Sequence, residues 1–200
     1  MSETALLLAT TNPGKVREIR RALAGLRARV SGLGDLPPGP SPRERGSTFL
    51  ENARAKSLFY SRRWGGLTLA EDSGLEIDAL GGAPGVRSAR FSSPRPTDAR
   101  NNRKVLRLLR GVPAAGRGAR FVCVMVLARN GQVLKEIRAQ VRGRIAPAPR
   151  GANGFGYDPL FYYPPLRRTF AELDAGEKNA VSHRGRALRK LVLALRSSLS

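Results

Sequence analysis

The residues able to do chemistry in this 200-residue chain gather in four short segments, each beside the end of an apolar run. Thr10-Thr11-Asn12-Pro13-Gly14-Lys15 stands at a strand-to-helix junction. Unpaired N–H groups and the positive helix end favour an anion there, and Lys15 adds a full charge. The turn reads as a phosphate cradle or as an ordinary helix start. It is not a Walker A loop, because the required glycine is absent at Ala9 and Val16 stands where Ser or Thr would bind magnesium.

Glu71-Asp72-Ser73-Gly74 closes an apolar strand, where α/β proteins place reacting groups, and its carboxylates suit a hard divalent cation such as Mg2+. Successive strand side chains face opposite ways, so the two carboxylates share a site only if the strand has already ended; Asp72, beside the permissive Gly74, is favoured. An acidic pair in an exposed turn is the plain alternative. Asn153-Gly154-Phe155-Gly156-Tyr157-Asp158-Pro159 offers an aromatic face to stack on a purine, with backbone groups and Asp158 to read its edge. Otherwise Phe155 and Tyr157 pack in the core. Glu177-Lys178 precedes Ser182-His183-Arg184-Gly185, where Ser182 as N-cap sets His183 and Arg184 in a first helical turn, able to donate to an oxo group or a phosphate oxygen. A lone histidine also serves purely structural ends.

The elements that must position these groups follow from periodicity. Residues 5–10 predict a strand, and Val16, Ile19, Leu23 and Leu26 form the apolar stripe of a helix behind it. Four prolines and no periodicity make 36–46 a connection or a flap. Thr48 and Glu51 fit a capping box at the head of a helix over 49–63. Strands are expected over 67–71 and, after Ser73 and Gly74, over 75–80; a glycine-rich loop leads to a helix capped by Thr97 or Asp98 and stopped at Gly111. The uniformly apolar 121–127 reads as a strand covered on both faces, and Asn130-Gly131 as a hairpin turn into 133–145. A loop over 146–159, a strand over 160–163 and a last helix striped by Leu188, Leu191, Val192 and Leu195 complete the chain.

Composition bounds the class. With 41% hydrophobic and 26% charged residues, the 200 residues read as one soluble α/β domain spanning 1–200. The single cysteine, Cys123, excludes an intrachain disulfide framework, and with one histidine it makes no structural zinc site. No long apolar run or secretory leader pattern is present, which predicts a cytoplasmic protein without a membrane partner. The formal charge of +21 invites a nucleic-acid reading. However, 30 of the basic residues are arginines spread without a block, a bias that a GC-rich coding genome also produces, and nucleic-acid binding is not expected.

Taken together, six ordered blocks resemble the inosine triphosphate pyrophosphatase family. They are Ala9-Thr10-Thr11-Asn12 with Lys15; Thr48 to Ala53 with Lys56; Ala70 to Leu75; Gly81 to Gly85 with Ser88, Ala89, Arg90 and Phe91; Gly154 to Pro159; and Glu177-Lys178 with Ser182 to Gly185. Many members carry Gly where Thr11 stands. The resemblance implies an elongated two-lobed α/β fold, a central mixed sheet flanked by helices, a cleft between the lobes and a homodimer. It implies that Thr10, Thr11, Asn12, Pro13, Gly14 and Lys15 hold phosphates with Lys56 and Lys178, that Ser73 touches substrate, and that Asp72 is catalytic and shares Mg2+ with Glu44. Phe155, Gly156, Tyr157 and Asp158, with His183 and Arg184, would bind the nucleobase. The implied activity is hydrolysis of ITP, dITP or XTP at the α-phosphorus to the monophosphate and pyrophosphate, cleansing the nucleotide pool. A nucleic-acid binder, or a related pyrophosphatase acting on modified pyrimidine or ordinary nucleotides, is the competing reading.

Overall fold

The computed structural model describes residues 4–25 and 28–199. Leu26, expected to close the first helix's stripe, lies outside the described residues. Strands β1 (Thr4–Leu8), β2 (Ala28–Gly32), β3 (Leu67–Ile77), β4 (Gly118–Arg129), β5 (Gln132–Ile145), β6 (Phe161–Tyr163) and β7 (Arg168–Thr169) alternate with helices α1 (Pro13–Leu23), α2 (Phe49–Trp64), α3 (Asp98–Leu108), α4 (Ala175–Val181) and α5 (His183–Leu199). The strands form one sheet in the order β2-β1-β3-β4-β5-β6-β7. It is mixed: β1 runs parallel to β2 and β3, whereas β6 runs antiparallel to β5 and β7. Among the described residues no helix is long and apolar enough to cross a membrane.

The chain groups into two compact units, one comprising Met1–Asp72, Cys123–Ala139 and Arg184–Ser200, the other Ser73–Val122 and Gln140–His183. In the first unit the two-residue alternation of strand side chains sorts the core. Leu6 and Leu8 of β1, Leu67 and Leu69 of β3, and Cys123, Met125 and Leu127 of β4 pack with Ile19 and Leu23 of α1 and Leu188 and Leu191 of α5. Leu7, Ala9 and Ala70, from the opposite face of the same strands, pack with Tyr60 of α2. In the second unit, Leu75, Ile77 and Phe121 join Val105 and Leu109, and Phe161 and Phe170 tilt against one another at 4.8 Å between centroids.

Several expectations need correction. β3 does not break at Ser73; it is one strand of 11 residues, so the pieces expected over 67–71 and 75–80 merge. The residues beyond Ile77 form a short 3-10 turn. β2 and α4 had no periodic signal of their own, since β2 is a short, half-buried strand and α4 a single capped excursion of 7 residues. The Thr48 cap is present, its hydroxyl accepting from the Glu51 N–H at 3.1 Å, but the Glu51 carboxylate accepts from the Ser47 N–H at 2.7 Å rather than from Thr48. The hairpin is as expected. Asn130 and Gly131 both take positive φ, 49° and 76°, the two left-handed residues a tight type I′ turn requires.

Candidate functional site

Because β3 continues through residues 71–73, the alternation that sorts the core also separates the two acids. Even-numbered residues face α2, and Asp72 follows Thr68 and Ala70 onto that side. On α2, Asn52 and Lys56 lie four residues apart and therefore share a face. Asn52 Nδ2 donates to Asp72 Oδ2 at 3.0 Å, and Lys56 Nζ lies 3.8 Å from Asp72 Oδ1. Lys56 also donates to Glu44 Oε1 and to the Glu71 carbonyl, both at 2.8 Å. The irregular stretch before α2 is tied down at this point, since Asn52 Oδ1 accepts the Gly46 N–H at 2.9 Å. Burial pushes Asp72 above the usual aspartate range; Lys56, Lys15 and Asn52 oppose the shift, and Glu44 adds to it.

Glu71 faces the other way, toward α1 and α5. Arg184 donates to it twice, from Nε at 2.9 Å and Nη2 at 2.8 Å, and sends Nη1 to Glu18 at 2.6 Å. Lys15 Nζ lies 3.5 Å from Glu71 Oε1. Two acids and two bases balance here. Burial opposes the charge on Arg184, yet Glu71 and then Glu18 hold its guanidinium protonated well beyond the ordinary arginine value. The Cys123 thiol is fully buried on the same side and is pushed far up, by burial first and by Glu71 next. At the head of α1, Asn12 Oδ1 accepts the Lys15 N–H at 3.0 Å and Pro13 opens the helix. No acid stands in the first turn to cancel the positive helix end.

The second unit holds the glycine-rich turn. Asp158, 2% exposed, accepts from the Phe155 N–H at 2.9 Å and from Lys178 Nζ at 2.5 Å. That ammonium also sits 4.7 Å from the centre of the Phe155 ring. Gly154 has φ +78°, and a Cβ there would strike the Asp158 carboxylate. Tyr157 is buried and donates its hydroxyl to the Ser88 carbonyl at 2.8 Å. Gly156 is held by α3: its N–H donates to Asp98 at 2.7 Å and its carbonyl accepts from Asn102 at 3.0 Å. His183 stacks on Phe121 with centroids 4.6 Å apart and rings 10° from parallel.

The predicted residues thus fall into two sets. The first unit contains Thr10 to Lys15, Glu44, Lys56, Asp72 and Arg184; the second contains Phe155, Gly156, Tyr157, Asp158, Lys178, Ser73 and His183. Lys178, expected to help hold the phosphates, pairs with Asp158 in the glycine-rich turn. Arg184, expected in the nucleobase pocket, donates to Glu71 and Glu18. Adjacent residues on a helix point about 100° apart, so His183 and Arg184 diverge although consecutive. The sequence marked Asp98 only as a possible helix cap and Asn52 only as part of the Thr48 to Ala53 block, and gave Glu18 and Asn102 no place in the site. The four-residue spacings Asn52/Lys56 and Asp98/Asn102 were the available signal.

Whether these residues suit a magnesium ion is decided by charge and donor type. Around Asp72, the Lys56 ammonium lies between the Glu44 and Asp72 carboxylates, and Lys15 acts on Asp72 as well. Carboxylate oxygens are hard donors. Among the described residues no three acidic, histidine or cysteine side chains gather into a cage; magnesium takes one or two protein carboxylates and fills its shell with water and phosphate. Asp72 and Glu44 fit such an ion.

A mixed sheet with helices on both faces of its first unit defines the class as an α/β protein. The Ham1 family's sequence profile matches residues 6–194, and the chain belongs to that family. The dITP/XTP pyrophosphatase of Gloeobacter violaceus is 51% identical over 188 residues, covering 94% of this chain and 92% of the relative. That of Geobacillus kaustophilus is 49% identical, covering 93% and 91%. Among solved structures, the HAM1 protein of Coxiella burnetii aligns with a TM-score of 0.89 at 42% identity, over 97% of this chain and 99% of that one. The Ham1 protein of Staphylococcus aureus gives 0.86 at 36% identity, over 98% and 100%.

Proposed function

We propose that this chain is a magnesium-dependent nucleoside-triphosphate pyrophosphatase acting on dITP and XTP. The observation that carries the reading is Asp72: a buried carboxylate gripped by Asn52 and Lys56 beside Glu44, in a chain about half identical to dITP/XTP pyrophosphatases. The turn at Thr10 to Gly14, with Lys15 and Lys56, takes the triphosphate. The purine stacks on Phe155, and Ser73 and His183 contact the substrate.

Asp72 and Glu44 would hold the magnesium, which offsets phosphate charge and acidifies bound water. Asp72 accepts the proton of a water whose oxygen bonds to the α-phosphorus. The bond from that phosphorus to the α–β bridging oxygen breaks, and pyrophosphate leaves with the electron pair. Positioning and fixed charge supply most of the rate.

Selectivity follows from the purine 6-position. A backbone or side-chain donor that meets the oxo group of hypoxanthine or xanthine meets another donor in adenine, and buried unpaired donors reject a competitor by about 10⁴-fold or more. A panel of dITP, XTP, dUTP, GTP and ATP, with pyrophosphate release as the readout, tests the reading. Turnover of dITP and XTP is expected to exceed that of ATP by orders of magnitude; equal rates overturn it. Asp72→Asn is expected to abolish turnover while nucleotide binding stays measurable.

A further inference from the structure

Resting on the reading of Gly154 to Asp158 as the purine-binding turn, we propose that Asp98 and Asn102 of α3 are positioning residues that fix this turn through one residue, Gly156, by holding the two peptide units that flank it. Asp98 Oδ2 accepts the Gly156 N–H at 2.7 Å, and Asn102 Nδ2 donates to the Gly156 carbonyl at 3.0 Å. A side chain one helical turn further along α3 thus grips the far end of the residue that the first grips at the near end.

Gly156 separates Phe155 from Tyr157, so its peptide orientation sets the direction in which the Phe155 ring is presented. The neighbouring groups are already committed. The Phe155 N–H goes to Asp158, and the Tyr157 hydroxyl goes to Ser88. With φ of 63°, Gly156 lies in the left-handed region, where only external restraint selects one arrangement of so permissive a residue.

Asn102 is 8% exposed, and its Oδ1 has no hydrogen-bond partner among the described residues. Its amide orientation is therefore chosen by Gly156, since reversing it would set oxygen against oxygen. A buried amide with only half its capacity used is costly to keep. The cost is intelligible if the donor half has a task.

Steady-state kinetics with dITP on Asp98→Ala, Asn102→Ala and Asp98→Asn test the proposal, alongside inhibition by inorganic tripolyphosphate, which has no base. Asp98 is exposed, so its variants leave the core intact. Both alanine variants are expected to raise KM for dITP on the order of tenfold, with an unchanged tripolyphosphate inhibition constant and a smaller change in kcat. Asp98→Asn, which keeps an acceptor oxygen, restores KM toward the wild-type value. Wild-type KM in Asp98→Ala overturns the proposal, as does a parallel rise in KM and in the tripolyphosphate constant, which would mark general loosening. Absence of dITP hydrolysis by the wild-type protein overturns the underlying reading, and this inference with it.

Discussion

Asp72 and Glu71 are peptide-bonded neighbours with opposite electrostatic surroundings, and each predicts a different response to substitution. The Asp72 pKa is raised, so the proton is released more readily from the unfolded chain, and stability present below the ordinary aspartate value is lost as pH rises through the raised one. Asp72→Asn has no such dependence. Its Tm relative to wild type is expected to become more favourable between about pH 4 and about pH 7, as read by calorimetry across that range; a flat difference would place Asp72 in an unstrained environment. Glu71 lies in an ion network instead. Its carboxylate is 1% exposed and doubly bonded to Arg184, so Arg184→Met strips two charge-assisted hydrogen bonds from a buried carboxylate that keeps Lys15 nearby, and is expected to cost up to about 3 kcal/mol in urea unfolding. Adding Glu71→Gln should recover part of that loss, a non-additivity expected of groups in contact.

At the scale of elements, what was legible in the sequence is what local chemistry writes directly. Thr48 announced α2, Thr97 or Asp98 announced α3, of which Thr97 is the cap, and Asn130-Gly131 announced the hairpin, because caps and tight turns depend on one or two side chains. Thr48→Ala is expected to lower stability by about 1 kcal/mol, shifting the urea midpoint without changing the slope. The unread elements depend on partners far along the chain. β2 is defined by pairing with β1, and β3 passes through Ser73 and Gly74 because both of its parts are covered, where the sequence alone suggested a turn. The site was legible in the same uneven way. Asp72 and Phe155 sit in marked segments, whereas Asn52, Asp98 and Asn102 lie within helices, where an amide or carboxylate looks like an ordinary surface residue until its target is known. Lys178 and Arg184 were legible as important but not as to partner, because long side chains can choose among several acids.

For the molecule as a whole, the charge of +21 acts more on ionic strength response than on architecture. Mutual repulsion among so many arginines should relax as salt is added, so Tm is expected to rise between about 10 mM and about 200 mM salt. Capture of a triphosphate should respond oppositely: kcat/KM for dITP is expected to fall over the same range while kcat changes little, because the field speeds encounter rather than chemistry. Tight duplex DNA binding that survives physiological salt would instead give the arginines a use that their scattered placement does not suggest.

β3 carries a further consequence. Its residues alternate between the Arg184 network around Glu71 and the Lys56 cluster around Asp72, so the number of residues between Leu67 and Glu71 acts as a phase. Deleting or inserting one residue there would turn the acid that should meet Lys56 toward Arg184, and the reverse for its neighbour. The composition would hardly change, but both clusters would be mismatched at once. Such a variant is expected to fail more completely than any single substitution in either cluster.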